Sequence, residues 1–95
     1  MPNYRLSEAA KDDLIEIAQY SDENFGVVQS DNYRDQLKRR FLVIAERPMF
    51  FPAVDHIRIG YRRSVCGAHS IYYRIEGDSV EIIRIIGRQD IGRAF

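Results

Sequence analysis

HSIYYRIEGDSVEIIRII, residues 69–86, decides the fold. Two β-branched and aromatic runs flank Gly77-Asp78, and a glycine-first pair between such runs marks a type II′ hairpin turn. Alternation in the first run puts Ile71, Tyr73 and Ile75 on one face and Ser70, Tyr72 and Arg74 on the other, so one of the two adjacent tyrosines faces the core. The second run is apolar at Val80, Ile82, Ile83, Ile85 and Ile86, hence on both faces. It predicts a central strand with helices on one side and other chain covering the other. Arg84 lies inside that strand and needs a partner, Asp90 or a tyrosine hydroxyl, because an unpaired buried charge costs several kcal/mol.

Upstream, IRIGYRRSV (residues 57–65) has the same period of two and predicts a third strand. Before residue 52 the period changes to 3.6. Ser7 reads as a helix N-cap with Glu8 well placed behind it. Ala10, Leu14, Ile17, Ala18 and Ser21 then fall on one face, while Asp12, Asp13, Glu16 and Gln19 lie elsewhere, their carboxylates reading as a solvated face. Gly26 closes this helix. A second follows almost at once, with Tyr33, Leu37, Phe41 and Ile44 or Ala45 as its stripe, and Pro48 stops it. The short joint makes the pair an antiparallel hairpin. With a short extended NYRLS in front, the order is β-α-α-β-β-β: an α+β fold, a helical hairpin packed on an antiparallel sheet. Residues 1–95 are expected to form one domain.

Lys+Arg and Asp+Glu each number 14, and zero net charge argues against a chain built to grip nucleic acid along its length. The charge is uneven: residues 1–55 hold seven basic and ten acidic side chains, residues 56–95 seven and four. All seven later bases are arginine, at 58, 62, 63, 74, 84, 88 and 93. Arginine without lysine suits planar contacts with carboxylates, phosphates or backbone, though cross-strand ion pairs account for it equally well. A lone cysteine, Cys66, excludes a disulfide framework. No hydrophobic leader or membrane-length run is present, so a cytoplasmic protein without membrane association is expected.

Tests for chemistry return little. Cys66 and His69 flank a glycine turn, but no acid stands beside them to orient the base, so a turn cysteine and an unrelated histidine are preferred. His56 and His69 lie 13 apart without further ligands at metal spacing, so neither a metal nor a cofactor is expected. Tyr61, Tyr72 and Tyr73 interleave with Arg62, Arg63 and Arg74, and alternation leaves at most part of that set on the surface.

The ordered set YRLSEAAKDDLIEI, FGVVQSDNYRDQL, IAERP, IRIGYRRSVCGAHSIYYRI and RIIGRQD resembles the ParE branch of the RelE/ParE superfamily of toxin–antitoxin toxins, over Tyr4 to Phe95. The resemblance implies a toxin neutralised by a ParD-like antitoxin in a hetero-oligomer, reaching operator DNA only through that antitoxin, and inhibiting DNA gyrase by binding. The RNA-cleaving RelE branch shares the fold and carries two arginines and a tyrosine where this chain has His69, Gln89 and Phe95. Two of the three roles are thereby missing, and no catalytic residue is assigned. A RelE-type ribosome-dependent endoribonuclease and a degenerate toxin kept as a binding module are the alternatives. Gly87 departs from a histidine found in many ParE members. The expected target surface is the arginine-bearing sheet and tail, Arg62, Arg63, Arg74, Arg84, Arg88 and Arg93, with His69 at a possible functional turn. An antitoxin helix or strand would enter the groove where the hairpin meets the sheet.

Overall fold

The computed structural model describes residues 3–87. The elements are β1 (Asn3–Leu6), α1 (Glu8–Phe25), α2 (Val27–Glu46), β2 (Tyr61–Cys66), β3 (His69–Glu76) and β4 (Ser79–Gly87). Ser7 caps α1 as its residue type predicts, its hydroxyl accepting the Ala10 N–H at 3.0 Å. Gly26 alone joins the helices, at φ 84°, and α2 ends at Glu46, two residues before Pro48.

The sheet order is β1-β4-β3-β2, with β2, β3 and β4 antiparallel as expected. The short N-terminal strand adds parallel to β4, Leu6 opposite Ile82, so the sheet is mixed at that edge. Both two-residue turns begin with a positive-φ glycine, Gly67 at 59° and Gly77 at 57°, and no non-glycine residue has positive φ. That is the type II′ requirement. β2 starts later than its sequence run. Ile57 and Arg58 turn back on the Val54 carbonyl, at 2.8 and 3.1 Å, and the Asp55 carboxylate accepts the Gly60 N–H at 2.9 Å. Local hydrogen bonding thus outcompetes β propensity there.

The helix-side core combines Ala10 and Ile17 of α1, Leu37, Phe41 and Ile44 of α2, and Ile71, Tyr73 and Ile82 from the sheet. On the other face Val54, Tyr72 and Ile86 form a smaller core, closed by Ile57 and Tyr61. The loop after α2 is therefore the cover that the two-faced β4 required. Tyr72 and Tyr73 are both fully buried, one in each core, because both faces of β3 are covered. A β-bulge lies between them: Tyr72 pairs with Arg84 and Tyr73 with Ile82, leaving Ile83 as the extra residue.

Beyond Leu6 the edge of β4 is closed by α1. The Ser7 N–H donates to the Ile82 carbonyl at 3.0 Å and its hydroxyl to the Ile83 carbonyl at 2.7 Å. The Asp13 carboxylate accepts the Ile85 N–H at 2.9 Å and two donors of Arg84, Nε at 2.8 Å and Nη2 at 3.0 Å. Asp13, expected on a solvated face, is buried. Its side chain satisfies a sheet edge that ends one strand short, which no helical periodicity reveals.

Candidate functional site

The arginines of the expected target surface divide by what holds them. Arg62 donates to the Phe51 carbonyl at 2.7 Å, tying the loop to β2. Arg74 joins Glu76 at 2.6 Å and Glu81 at 3.0 Å, and Arg5 meets the same two carboxylates at 2.5 and 3.5 Å. This ring of two cations and two anions staples β1, β4 and β3 at one end of the sheet. Its field, chiefly from Glu76, holds the Arg74 guanidinium above its ordinary range. Arg84 is raised as well, mainly through its hydrogen bonds to Asp13. Its partner is therefore Asp13 and not a tyrosine; Asp90 lies outside the described residues. Arg63 alone of these four has no side-chain hydrogen bond or ion pair among the described residues, and it sits half-buried opposite Tyr72. Arg88 and Arg93 lie outside the described residues.

The β2–β3 turn is gripped by Tyr33 of α2. Its hydroxyl oxygen accepts the Ala68 N–H at 3.1 Å and lies 3.2 Å from the Cys66 carbonyl and 2.7 Å from Nδ1 of His69. With one proton to give, it donates to the carbonyl or, when Nδ1 is bare, to the imidazole. The ring rests directly on Gly67: a Cβ there would meet Tyr33 Cε1 at 2.7 Å and its oxygen at 2.8 Å. Cys66 is buried in the helix-side core, and its thiol is thus withdrawn from solvent. His69 is half-buried, its ring 5.6 Å from that of Tyr33.

Beside this turn opens a cleft of about 660 Å³ between the far end of the helical hairpin and the sheet. Tyr20, Phe25 and Tyr33 supply aromatic walls, and Arg39, Ala68 and His69 complete the side toward the sheet. Tyr20 and Phe25 stay mostly exposed although their rings meet edge-on at 6.2 Å. Leu42 and Val43 of α2 and Met49 and Phe50 just after it are exposed as well. Among the described residues no group of three or more histidine, cysteine or carboxylate side chains is placed to hold a metal. Nor is any described helix long and apolar enough to cross a membrane.

Residues 4–92 match the family model for the ParE toxin of the parDE type II toxin–antitoxin system. The chain belongs to the ParE toxin family. It is 40% identical over 94 residues to Toxin ParE1 of Caulobacter vibrioides, covering 99% of this chain and 97% of that protein. It is 34% identical over 92 residues to Toxin ParE1 of Mycobacterium tuberculosis, with 95% and 94% covered. A solved chain from the chromosomal ParDE system of P. aeruginosa superposes with a TM-score of 0.80, covering 92% of this chain and 96% of that one. At 16% identity that likeness speaks to the fold.

Within this ParE-family fold, the turn expected to matter at His69 borders the cleft. Sequence reasoning expected a groove where the hairpin meets the sheet but not which residues line it, and it missed the clamp on the turn. Tyr33 read as one more member of an apolar stripe, and Tyr20 and Phe25 carried no periodic signal. The only available hint was a tyrosine at the end of a stripe, since a buried hydroxyl needs a partner.

Proposed function

We propose that this ParE-family chain is the toxin of a ParDE-type pair, neutralised by a ParD-like antitoxin, that inhibits DNA gyrase by binding without catalysis. The match over residues 4–92 carries the toxin assignment. Binding in preference to catalysis is supported by the way the arginines are held. Arg62, Arg74 and Arg84 are each engaged by different acceptors at different places in the fold, so they do not converge on one point where a phosphate could react. Arg63 is the target-contact residue among those described, and Arg88 and Arg93, outside the described residues, remain in the proposed set. DNA is reached only through the antitoxin, and no membrane partner is invoked.

Expression of the chain alone tests this, with gyrase supercoiling, DNA cleavage complexes and transcript integrity measured in the same cells. Lost supercoiling with intact transcripts is the expected outcome. Mapped, translation-dependent cuts in transcripts would replace it with a RelE-type endoribonuclease, and absence of growth inhibition with a degenerate binding module.

A further inference from the structure

We propose that the tip of the loop between α2 and β2, residues 55–60, docks on the gyrase protein, with Ile59 entering an apolar pocket that has an acidic rim. The proposal rests on the gyrase-binding toxin put forward above and names the element that makes the contact. The stretch from residue 47 to residue 60 contains no helix or strand, and segments of that length in a compact domain are usually functional. Its second half is a pinned hairpin. Ala53 bridges to Arg62, the Val54 N–H donates to the Tyr61 carbonyl at 2.8 Å, and the Arg63 N–H donates to the Pro52 carbonyl at 3.1 Å. Val54 roots the hairpin in the smaller core. The tip is closed by the bonds to the Val54 carbonyl and the Asp55 carboxylate described above, and by the Tyr61 N–H to the Arg58 carbonyl at 3.1 Å.

Two isoleucines stand on this tip, and the fold treats them oppositely. Ile57 turns against the smaller core, whereas Ile59 is held out at 91% exposure, more than any other large apolar side chain among the described residues. Because the backbone beneath it is already fixed, burying Ile59 in a partner requires little ordering of the toxin. Single exposed apolar residues are common on protein surfaces, so the charge around this one decides the reading. Residues 47–63 carry Arg47, Arg58, Arg62 and Arg63 against one carboxylate, Asp55, which already accepts the Gly60 N–H. Exposed Arg58 directly precedes Ile59, and Arg63 stands at the end of the same hairpin, so the tip continues the contact assigned to Arg63. Ile15 offers the contrast: it is exposed on α1 among Asp12, Glu16 and Gln19. An apolar pocket rimmed by carboxylates therefore complements the tip and not the helix. Arg58 and Arg63 are few cations for a phosphate backbone, and the tip has no tyrosine, phenylalanine or tryptophan to stack on a base, which favours protein over nucleic acid.

The test measures supercoiling by purified gyrase as the purified full chain is added. Ile59→Glu and Arg58→Glu alter exposed side chains, Ile15→Glu places the same charge on α1, and circular dichroism checks that each variant is folded. The concentration for half inhibition should rise about tenfold or more with each tip substitution and change by less than about twofold with Ile15→Glu. The Kd for the antitoxin should change by less than about twofold in all three. Ile59→Ala, too small a change to unfold the chain, decides the matter should a glutamate variant misfold, with a rise of several-fold expected. Unchanged inhibition by the Arg58→Glu, Ile59→Glu double variant overturns the tip and leaves the gyrase-binding toxin standing. An unmodified chain without effect on gyrase overturns both. Antitoxin binding weakened as much as inhibition, or binding of a duplex DNA oligonucleotide without gyrase that the double variant abolishes, would assign the tip to those partners and overturn the proposal.

Discussion

Gly67→Ala probes the contact on which the β2–β3 turn depends. Two terms add. Gly67 sits at φ 59°, where a side chain costs about 1–2 kcal/mol by clashing with its own backbone. The new methyl would also lie 2.7 Å from Tyr33 Cε1 and 2.8 Å from its oxygen. A tyrosine tip normally swings away cheaply, but this one is tethered to Ala68, Cys66 and His69, so moving it gives up bonds worth about 1 kcal/mol each. The sum is about 2–4 kcal/mol, a large share of the roughly 5–15 kcal/mol stability of such a domain. Urea unfolding of the four proteins in the cycle with Tyr33→Ala measures both terms. With Tyr33 already removed, Gly67→Ala should cost only the backbone term, leaving a coupling of about 1–2 kcal/mol. Coupling below about 0.5 kcal/mol, the scatter of independent sites, would refute the clamp.

Asp13→Ala should destabilise by about 2–3 kcal/mol, since Arg84 and the Ile85 N–H lose their acceptor together; Arg84→Met in the same chain should restore part of this in thermal unfolding. Burial pushes the Tyr73 hydroxyl up to about 12, against a smaller opposing pull from Arg62. The unfolded chain therefore loses this proton first, and stability present below pH 10 should fall by about 2 kcal/mol as pH rises from 10 to 12. Tyr73→Phe should flatten that slope while costing about 1 kcal/mol at neutral pH for the lost bond to the Pro48 carbonyl. Arg63→Ala should leave the unfolding midpoint within about 0.5 kcal/mol of wild type yet reduce gyrase inhibition on expression. Unchanged inhibition would remove Arg63 from the target surface.

Local rules were legible wherever one neighbour decides the outcome. The Ser7 cap, the Pro48 stop, the glycine-first turns and the two-faced apolarity of β4 each depend on residues a few positions apart, and each appears in the structure. Misplaced features involve partners far apart in sequence. Asp13 looked solvated by helical period, but a sheet edge left open after Leu6 claims its carboxylate, together with an arginine 71 residues away. Arg84 stood apart on paper as a charge inside an apolar strand, but no pattern in the chain told the loop anchor Arg62 from Arg63, whose side chain has no hydrogen bond or ion pair among the described residues.

The sequence by itself thus determined the element order, the helix ends, the turn chemistry and the family, because those reside in short-range sterics and in side-chain order. Only the tertiary structure decided which charges are consumed internally, which tyrosines reach a core, and that Tyr20, Phe25 and Tyr33 surround one cleft beside His69. Those outcomes depend on hydrogen-bond partners and packed surfaces brought together across the fold, and the physical reason is the same in each case. A buried polar group takes whichever acceptor the assembled backbone places within reach.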